Sequence, residues 1–331
     1  MRILILISNI LIGYVASAAY PLLNIPHTIK GQAQGTTYSI KYYAEIERIH
    51  KAEVDSIFKV IDKSMSLYRP GSLINEFNAE STQSIKMDDH MHKVITASFA
   101  YHKLTKGYFD ITIFPLLKLW GFGPEGVRAN PTDDQVNQVR KIVGLEKIEL
   151  KGDSLLKKCR GVAIDLNGIA QGYTVDVLTQ YFKDKGVDSF IIEVGGEIFS
   201  QGRKPNGDNY QIEIQRPSQS GQTCRVLLEN KAITTSGSYE KFRMIDGKRY
   251  SHHINPSTGR PLSNTTLSVT LIANTAMEAD ALDNFLMYLT PQEAIAFIEE
   301  NTDCEAYVVY AENNTLKELQ TSGFNNYIYK I

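Results

Sequence analysis

The sequence predicts an α+β fold in a single domain. Apolar residues recur at helical spacing in some segments and alternate with polar residues in others. The two kinds of segment are interleaved without the regular strand–helix–strand alternation of α/β proteins. No internal repeat, low-complexity tract or Pro/Ser-rich linker divides the 331 residues, and 43% of them are hydrophobic, as in ordinary globular proteins. We therefore expect one compact unit.

The N-terminus has the pattern of an export signal. Arg2 precedes a mostly apolar run over residues 3–15, and Ala16-Ser17-Ala18 fits the small-residue cleavage pattern. The sequence thus predicts a signal peptide over residues 1–18 and a soluble, exported domain over residues 19–331. The apolar run is shorter than the roughly 20 residues of a transmembrane helix, although an uncleaved anchor stays an alternative. No cysteine lies near the cleavage site, which excludes a lipoprotein anchor.

Charge and cysteine usage exclude several classes of protein. The formal net charge of −2 gives no general attraction to nucleic acid, so we expect no nucleic-acid partner. Cys159, Cys224 and Cys304 have neither the spacing of a zinc site nor that of a redox CxxC motif. We expect free thiols, with at most one disulfide.

The first half of the mature chain contains the following predicted elements. Alternation predicts a strand over residues 31–43, and apolar residues at helical spacing predict helices over residues 45–65 and 90–105. Lys106-Gly107 is a typical stop for the second helix. A polar helix is expected over residues 132–143, and a hairpin over residues 147–156 turns at Lys151-Gly152-Asp153.

The second half continues the alternation of helices and strands. A helix over residues 172–185 ends at Gly186, and a strand over residues 189–194 ends in Gly195-Gly196. The remaining predicted elements are strands over residues 211–215, 224–228 and 267–272, helices over residues 276–288 and 291–299, and a terminal hairpin over residues 306–329.

An acidic helix start offers ligands for a hard cation. Thr275 and Glu278 form a capping box that places the start of the helix. Asp280, Asp283 and Asn284 then lie at positions i, i+3 and i+4, on one face of that helix. Three oxygen donors on one face suit Mg²⁺ or Ca²⁺. Acidic residues near a helix start are also favoured by the helix dipole, so spacing alone leaves both interpretations open.

A His-bearing turn lies close to this helix in the sequence. Residues 250–259 include His252 and His253 and are too polar, and too rich in Gly and Pro, to form core. A proton acceptor beside a cation site is the pairing that phosphoryl or nucleotidyl transfer needs. His252 is the preferred base over His253, because adjacent strand side chains point to opposite faces.

Two further segments carry candidate ligand-binding residues. An apolar strand over residues 162–166 leads Asp165 into a Gly-rich corner that opens the next helix, and such corners present N–H groups to anions. The corner is neither GxGxxG nor Walker A, which excludes Rossmann and P-loop sites. Asp110 and Thr112 interrupt an apolar stretch, where they either hydrogen-bond a heteroaromatic ring or cap a helix near Pro115.

Taken together and in order, these segments resemble the ApbE family, the FAD:protein FMN transferases. The resemblance covers the chain from about Gly31 to the C-terminus. The matching motifs are Gly35-Thr36-Thr37-Tyr38, Met65-Ser66-Leu67-Tyr68, Gly107 to Thr112, Leu119 to Gly123, Asp165 to Asp176, Val194 to Glu197, Thr235 to Tyr239, His252 to Pro261, and Ala279 to Leu282.

The resemblance implies an α+β fold related to the T-fold, with mixed or antiparallel sheets and packed helices. It implies an exported, Mg²⁺-dependent enzyme of the bacterial periplasm or the periplasmic face of the inner membrane, with peripheral membrane association. The enzyme would transfer FMN from FAD to a Ser or Thr hydroxyl of an acceptor flavoprotein subunit and release AMP. A FAD pyrophosphatase that gives FMN and AMP, and a FAD-binding carrier without turnover, are the alternatives.

The resemblance also assigns roles to residues. It places Gln34, Tyr68, Asp110, Ile111, Thr112, Asp165, Gln171 and Ile254 at FAD. It places the metal on the Gly168 carbonyl, Asp280 and Asn284, with Asp283 beside them, and makes His252 the base. The chain has Asn284 where the family usually has Thr, Gln171 where it often has Lys or Glu, and Asn255 where it usually has Asp.

Overall fold

The structure is a computed structural model. It describes residues 24–124, 126, 130–216, 223–238, 242–245, 248–251, 253–262, 265–313 and 315–330. The predicted signal peptide over residues 1–18 and the boundary after it lie outside the described residues and stay predictions. His252 also lies outside them.

Seventeen strands are present in the described part of the chain. They are β1 (Ile25–Ala33), β2 (Thr36–Ala44), β3 (Ser84–Lys86), β4 (Ile148–Lys151), β5 (Ser154–Lys157), β6 (Phe190–Val194), β7 (Glu197–Gln201), β8 (Tyr210–Gln215), β9 (Thr223–Leu228), β10 (Lys231–Gly237), β11 (Phe242–Ile245), β12 (Lys248–Ser251), β13 (Ile254–Asn255), β14 (Arg260–Pro261), β15 (Thr266–Ala273), β16 (Glu305–Glu312) and β17 (Thr315–Gln320).

Eight of these strands form one large sheet. Their order is β1-β2-β6-β7-β10-β15-β16-β17, and every neighbouring pair is antiparallel. A small sheet has the order β3-β5-β4, and β8–β9, β11–β12 and β13–β14 form two-stranded pairs. The prediction of an α+β fold with antiparallel sheets is confirmed.

Eight α-helices are described in the same residues. They are α1 (Lys51–Met65), α2 (Leu73–Asn78), α3 (Asp89–Leu104), α4 (Phe114–Leu119), α5 (Asp133–Arg140), α6 (Ala170–Asp184), α7 (Ala276–Leu286) and α8 (Pro291–Asn301). Local caps place several of their starts: the side chain of Thr275 accepts the N–H of Glu278 at α7, and Thr290 accepts that of Glu293 at α8.

The large sheet separates two layers of core. Tyr38, Ile40 and Tyr42 of β2 pack with α1 and α6 on one face, and the side chains between them point to the other. α7 and α8 pack against β15 and β16 on this same face of the sheet. β8, β9 and Phe324 pack against the opposite face. Each fully buried large apolar side chain contributes roughly 1.5–3 kcal/mol. This burial holds α6 and α7 side by side on the sheet.

The strand predicted over residues 31–43 is wrong in one respect, because a tight turn divides it into β1 and β2. Gln34 and Gly35 occupy the turn with φ of 53° and 74°, and Ala33 pairs with Thr36. Two-residue hairpin turns of this kind require left-handed residues and are usually marked by Asn-Gly or Asp-Gly. The Gln-Gly pair lacks that signal, so the alternation continues through the turn unmarked.

Most other predicted elements agree with the structure within a few residues, but the terminal hairpin predicted over residues 306–329 ends at Gln320 and is followed by a 3-10 turn over Ser322–Asn326. The helix predicted over residues 45–65 begins instead at Lys51, where the His50 N–H donates to Glu53 Oε2 at 2.9 Å. Strands β7, β10, β11 and β12 were not predicted. Cys159, Cys224 and Cys304 are unpaired, in agreement with the free-thiol expectation. No helix in the described residues is long and apolar enough to cross a membrane.

Candidate active site

Two helix starts face each other at the centre of the candidate site. Asp280 of α7 accepts the N–H of Gly172, in the first turn of α6, at 2.9 Å. Asp176 of α6 accepts the N–H groups of Ala276 and Met277, which open α7, at 2.8 and 3.0 Å. First-turn N–H groups have no partner within their own helix, and the helix dipole favours a carboxylate there. Each helix thus caps the other, an arrangement we call the reciprocal caps.

The reciprocal caps depend on a glycine. A Cβ at position 172 would lie 2.3 Å from the Ala276 carbonyl oxygen and 2.8 Å from Asp280 Cβ. We expect Gly172→Ala to push the helices apart and lower the free energy of unfolding by about 2–4 kcal/mol, combining overpacking with loss of a cap. Urea unfolding measures this loss. Gly123→Ala is the control, since its methyl meets mainly the flexible Lys118 side chain, and equal losses in both variants would contradict the prediction.

Asp176 also makes stability depend on pH. Burial raises its pKa from 3.8 to about 6, despite its two backbone hydrogen bonds. Between these values the folded state binds more protons than the unfolded state, so this contribution to stability is lost as pH rises through about 6. The stability of the wild type relative to Asp176→Asn should therefore grow by about 1–2 kcal/mol, discounted for half-burial, between pH 7.5 and pH 4.5. Urea unfolding without Mg²⁺ measures it, and a constant difference would exclude this role.

A buried carboxylate pair lies beside the reciprocal caps. Asp280 and Asp283 are only 3% and 2% exposed. Asp283 accepts hydrogen bonds from Thr234 Oγ1 at 2.6 Å and from Ser236 Oγ at 3.0 Å, so both of its oxygens are held. Thr234 and Ser236 alternate along β10 on the side that faces the helices. The sheet therefore orients the carboxylate that the helix presents.

Asn284 joins the two carboxylates. Its Nδ2 donates to the Asp280 carbonyl oxygen at 2.8 Å, to Asp280 Oδ1 at 3.2 Å and to Asp283 Oδ1 at 3.3 Å. Gly168 adjoins this amide, because a Cβ there would lie 3.5 Å from Asn284 Nδ2. The four residues of the predicted metal site are thus brought together.

These residues fit a hard divalent cation. Burial, and next to it the negative charge of Asp280, raises the pKa of Asp283 well above its usual range. A cation bound between the two carboxylates would offset that repulsion. In the described residues no three His, Cys, Asp or Glu side chains converge on one point. Two carboxylates would therefore need the Asn284 amide and the Gly168 carbonyl as further oxygen ligands, a donor set that suits Mg²⁺.

The strand predicted over residues 162–166 is wrong, because this segment is not part of any sheet in the structure. The side-chain amide of Asn78 takes the place of a strand partner, accepting the N–H of Ile164 at 2.7 Å and donating to its carbonyl at 2.8 Å. The Asp165 N–H donates to the Ile111 carbonyl at 2.7 Å. These contacts fix the direction in which Asp165 leaves the core.

Asp165 and Tyr68 form a second part of the site. Asp165 accepts the N–H of Asn167 at 2.7 Å, and burial raises the pKa of Asp165 to about 6. Burial, together with the nearby charge of Asp165, raises the pKa of Tyr68, whose side chain is nevertheless 66% exposed. An exposed aromatic ring next to a carboxylate is an arrangement that can stack on and hydrogen-bond a heteroaromatic ligand.

Asp110 acts as a cap, but of a 3-10 turn rather than of the helix near Pro115 that one of the two sequence interpretations predicts. Its Oδ1 accepts the backbone N–H of Thr112 at 2.8 Å and the Thr112 hydroxyl at 2.6 Å, at the start of a 3-10 turn over Ile111–Ile113. Burial raises the pKa of Asp110, against the opposing effect of the Thr112 hydrogen bonds and nearby His102. Ile111 and Thr112 are 2% and 0% exposed, so their side chains are engaged in the core.

The β1–β2 turn meets the start of α6. Gln34 Nε2 donates to Thr174 Oγ1 at 2.9 Å, whereas its buried Oε1 has no hydrogen-bond partner among the described residues. Gln171 Nε2 donates to the Val194 carbonyl at 2.8 Å. Gly195 lies against both Gln171 and Thr36, where no Cβ would fit. A cavity of about 520 Å³ opens at this turn. Gln34 and Gln171 therefore border the same region.

The turn that follows His252 is shaped by Asn255. The Asn255 Oδ1 accepts the N–H groups of Ser257 and Thr258 at 2.9 and 3.2 Å, and its carbonyl accepts the Gly259 N–H at 2.7 Å. An Asp oxygen would accept the same bonds, so the amide at this position preserves the turn. Ile254 is 1% exposed and packs in the core, so the structure does not present it to a ligand.

The structure groups the predicted residues around the two helix starts. Gly168, Asp280, Asp283 and Asn284 adjoin one another, and Gln171 lies in the first turn of α6. The predicted base, His252, lies outside the described residues, although its neighbour His253 is 4% exposed. Sequence reasoning missed four supporting residues, which are Thr234, Ser236, Asp176 and Thr174.

Comparison with known protein sequences shows similarity along nearly the whole chain. The model of the ApbE family matches residues 34–308. The chain is 33% identical over 310 residues to a FAD:protein FMN transferase of Vibrio cholerae, covering 91% of this chain and 92% of the relative. It is 31% identical over 314 residues to that of Haemophilus influenzae, covering 90% of each chain. It is 30% identical to the FAD:protein FMN transferase of Escherichia coli K12, covering 91% of this chain and 88% of the relative.

Comparison with solved structures shows the same relationship. The fold is similar to the flavin transferase ApbE from Vibrio cholerae, with a TM-score of 0.84 and 32% identity over 92% of this chain and 99% of that one. It is equally similar to the apo form of the Pseudomonas stutzeri flavinyl transferase ApbE, with a TM-score of 0.84 and 32% identity over 92% and 97%. The similarity thus includes the large sheet and both helix starts.

Proposed function

The chain belongs to the ApbE family, and from this premise we propose that it is a FAD:protein FMN transferase that uses Mg²⁺. It would move FMN from FAD to a Ser or Thr hydroxyl of an acceptor flavoprotein and release AMP. The observation that carries this proposal is the 33% identity, over 91% of the chain, to a relative of that activity. The buried carboxylate pair at two helix starts supports it.

The reaction would exchange the phosphoanhydride linkage of FAD for a phosphate ester linkage to the acceptor. The acceptor hydroxyl oxygen attacks the FMN phosphorus of FAD, and the pyrophosphate P–O bond to AMP breaks. His252 accepts the hydroxyl proton, and AMP leaves with the electron pair of the broken bond. Bound Mg²⁺ would supply charge neutralisation at the pyrophosphate.

The described residues would support this reaction in two ways. Asp280, Asp283, Asn284 and the Gly168 carbonyl would hold the cation, and Thr234 and Ser236 would keep the Asp283 carboxylate in its observed orientation. The start of α6 lies against Asp280, so the positive end of the α6 dipole is directed at the cation site and favours the negative charge of the phosphates.

FAD itself would occupy the region bordered by Tyr68, Asp165, Gln34 and Gln171. Tyr68 exposes a ring face for the flavin, and the buried Gln34 Oε1 is an acceptor for a ligand N–H group. Asp110, Ile111, Thr112 and Ile254 are proposed to support the site from behind, since these residues are buried.

One incubation tests the proposed function. The mature protein is mixed with FAD, Mg²⁺ and a candidate acceptor protein, and products are separated by gel fluorescence and liquid chromatography. Covalent flavin on the acceptor, with an equal amount of AMP, is the expected result. FMN and AMP without acceptor labelling would indicate a pyrophosphatase, and bound but unchanged FAD would indicate a carrier. Omitting Mg²⁺, or adding EDTA, should abolish the transfer.

We also propose that the enzyme works outside the cytoplasm, in the periplasm or at the periplasmic face of the inner membrane. The apolar run and the Ala16-Ser17-Ala18 pattern support export. Mass spectrometry of protein from the periplasmic fraction should find an N-terminus at Ala19. An intact leader in the membrane fraction would show an anchored protein instead.

A further inference from the structure

In the described residues, three side chains distant in sequence bond to the backbone of the turn that follows His252, and one of them is Arg140, whose Nη1 donates to the Ser257 carbonyl at 2.8 Å. The Tyr288 hydroxyl donates to the Ile254 carbonyl at 3.1 Å, and Trp120 Nε1 donates to the Gly259 carbonyl at 2.7 Å. These bonds reach the two ends of the turn from 34 and 139 residues away. The turn's own bonds, such as Gly259 N–H to the Asn255 carbonyl, set its shape but not its place.

Tyr288 connects this turn to the helix of the carboxylate pair. It follows α7 directly, two residues after Leu286, where that helix ends. Its ring stacks edge-on against His253 at 6.3 Å and lies against Tyr108 at 5.8 Å. Ring packing alone would fix the Ile254 end of the turn only loosely, because apolar contacts are weakly directional. The hydroxyl bond adds a directional contact at this end, since hydrogen bonds weaken steeply when misaligned.

We propose that Tyr288 is a positioning residue: its hydroxyl holds the turn next to His252 at a set distance from the carboxylate pair on α7. This inference rests on the proposed function, in which His252 takes the acceptor proton while α7 holds the cation. Small misplacement of a reacting group is costly, about 100-fold for 1 Å. Losing one bond of the turn, with the Trp120 bond kept, should cost less.

Tyr288→Phe tests this inference, because it removes the hydroxyl and keeps the ring. We expect kcat for FMN transfer to fall about 10-fold, while KM for FAD changes less than about 2-fold. Hydrogen exchange of the Gly259 and Leu262 amides, which are bonded within the turn, should quicken about 10-fold. Exchange is measured on the whole protein and does not require activity.

Tyr42→Phe is the matched control. The Tyr42 hydroxyl also donates to a backbone carbonyl, that of Ile49 at 3.2 Å, but in the β2–α1 region and not at the turn. We expect Tyr42→Phe to lower the melting temperature and leave kcat unchanged.

The outcomes separate a positioning role from a structural one. Unchanged exchange in Tyr288→Phe would overturn the inference whether or not the protein transfers FMN. Faster exchange with an unchanged kcat, or a loss of kcat no larger than that of Tyr42→Phe, would also overturn it. A wild type that binds FAD without transferring FMN would contradict the proposed function alone, and the exchange result would still decide whether Tyr288 holds the turn.

Discussion

Replacing Asp280 with Asn is expected to lower the rate of FMN transfer by about 1,000-fold. The substitution removes one of two buried carboxylate charges from the proposed cation site, and a bound metal contributes several kcal/mol of charge stabilisation. An Asn oxygen can still accept the Gly172 N–H, so the cap on α6 is retained and the fold should persist. The measurement is the initial rate of covalent flavin incorporation as a function of Mg²⁺ concentration.

Asp283→Asn is the companion variant. Thr234 and Ser236 hold both oxygens of Asp283. We therefore expect Asp283 to support the site and Asp280 to be the primary ligand of the cation. Its substitution should cost about 10- to 100-fold, the usual effect of disturbing a residue that orients a metal ligand. A larger loss in Asp283→Asn than in Asp280→Asn would reverse this assignment. A wild-type Mg²⁺ dependence in Asp280→Asn would exclude Asp280 as a ligand.

Replacing His252 with Gly is expected to slow FMN transfer by about 100- to 10,000-fold, the usual contribution of a general base. FAD binding should change little, because the proton is accepted only during the chemical step. Added imidazole should restore part of the rate, since a small base can enter the space that the side chain leaves. The measurement is the single-turnover rate at saturating FAD, with and without imidazole.

His253→Gly is the control for His252. His253 is 4% exposed, and its ring stacks edge-on against Tyr288, so its loss leaves a cavity in the core. We expect reduced stability, a smaller loss of rate and no recovery with imidazole. If imidazole rescues His253→Gly and not His252→Gly, the proposed base is misassigned.

Local signals in the sequence were enough to predict the helix that carries the carboxylate pair. The capping box of Thr275 and Glu278 and the apolar periodicity place α7 within two residues of its observed end. The shared face of Asp280, Asp283 and Asn284 follows from helix geometry alone. Both depend on neighbouring residues only, which is why they can be read without the fold.

The supporting residues depend on contacts between distant segments. Thr234 and Ser236 reach Asp283 only because β10 pairs with β7 and β15, and β10 was not predicted. Asn78 replaces a strand partner for Ile164 across 86 residues of sequence. Side-chain amides and hydroxyls that take over backbone hydrogen bonds leave no periodic signal, so patterning cannot locate them.

Asn255 and Asn284, two of the three departures from the family pattern, have different consequences. Asn255 accepts the N–H groups of its own turn, as an Asp would, and needs no compensation. Asn284 donates to both carboxylates through Nδ2 in this structure, and it can ligate a cation only through its other amide atom, Oδ1. The departure that bears on cation binding is therefore the one at position 284.

Because of the reciprocal caps, an acidic residue at position 280 of a related chain does not by itself indicate catalytic activity. Asp280 supports the start of α6 as well as the proposed site, so a descendant that had lost catalysis would still be selected to keep it for folding. In the described residues, the Thr234 and Ser236 hydroxyls hydrogen-bond to Asp283 and cap no helix. In surveys of relatives, loss of these two hydroxyls should mark inactive members earlier than loss of the acid.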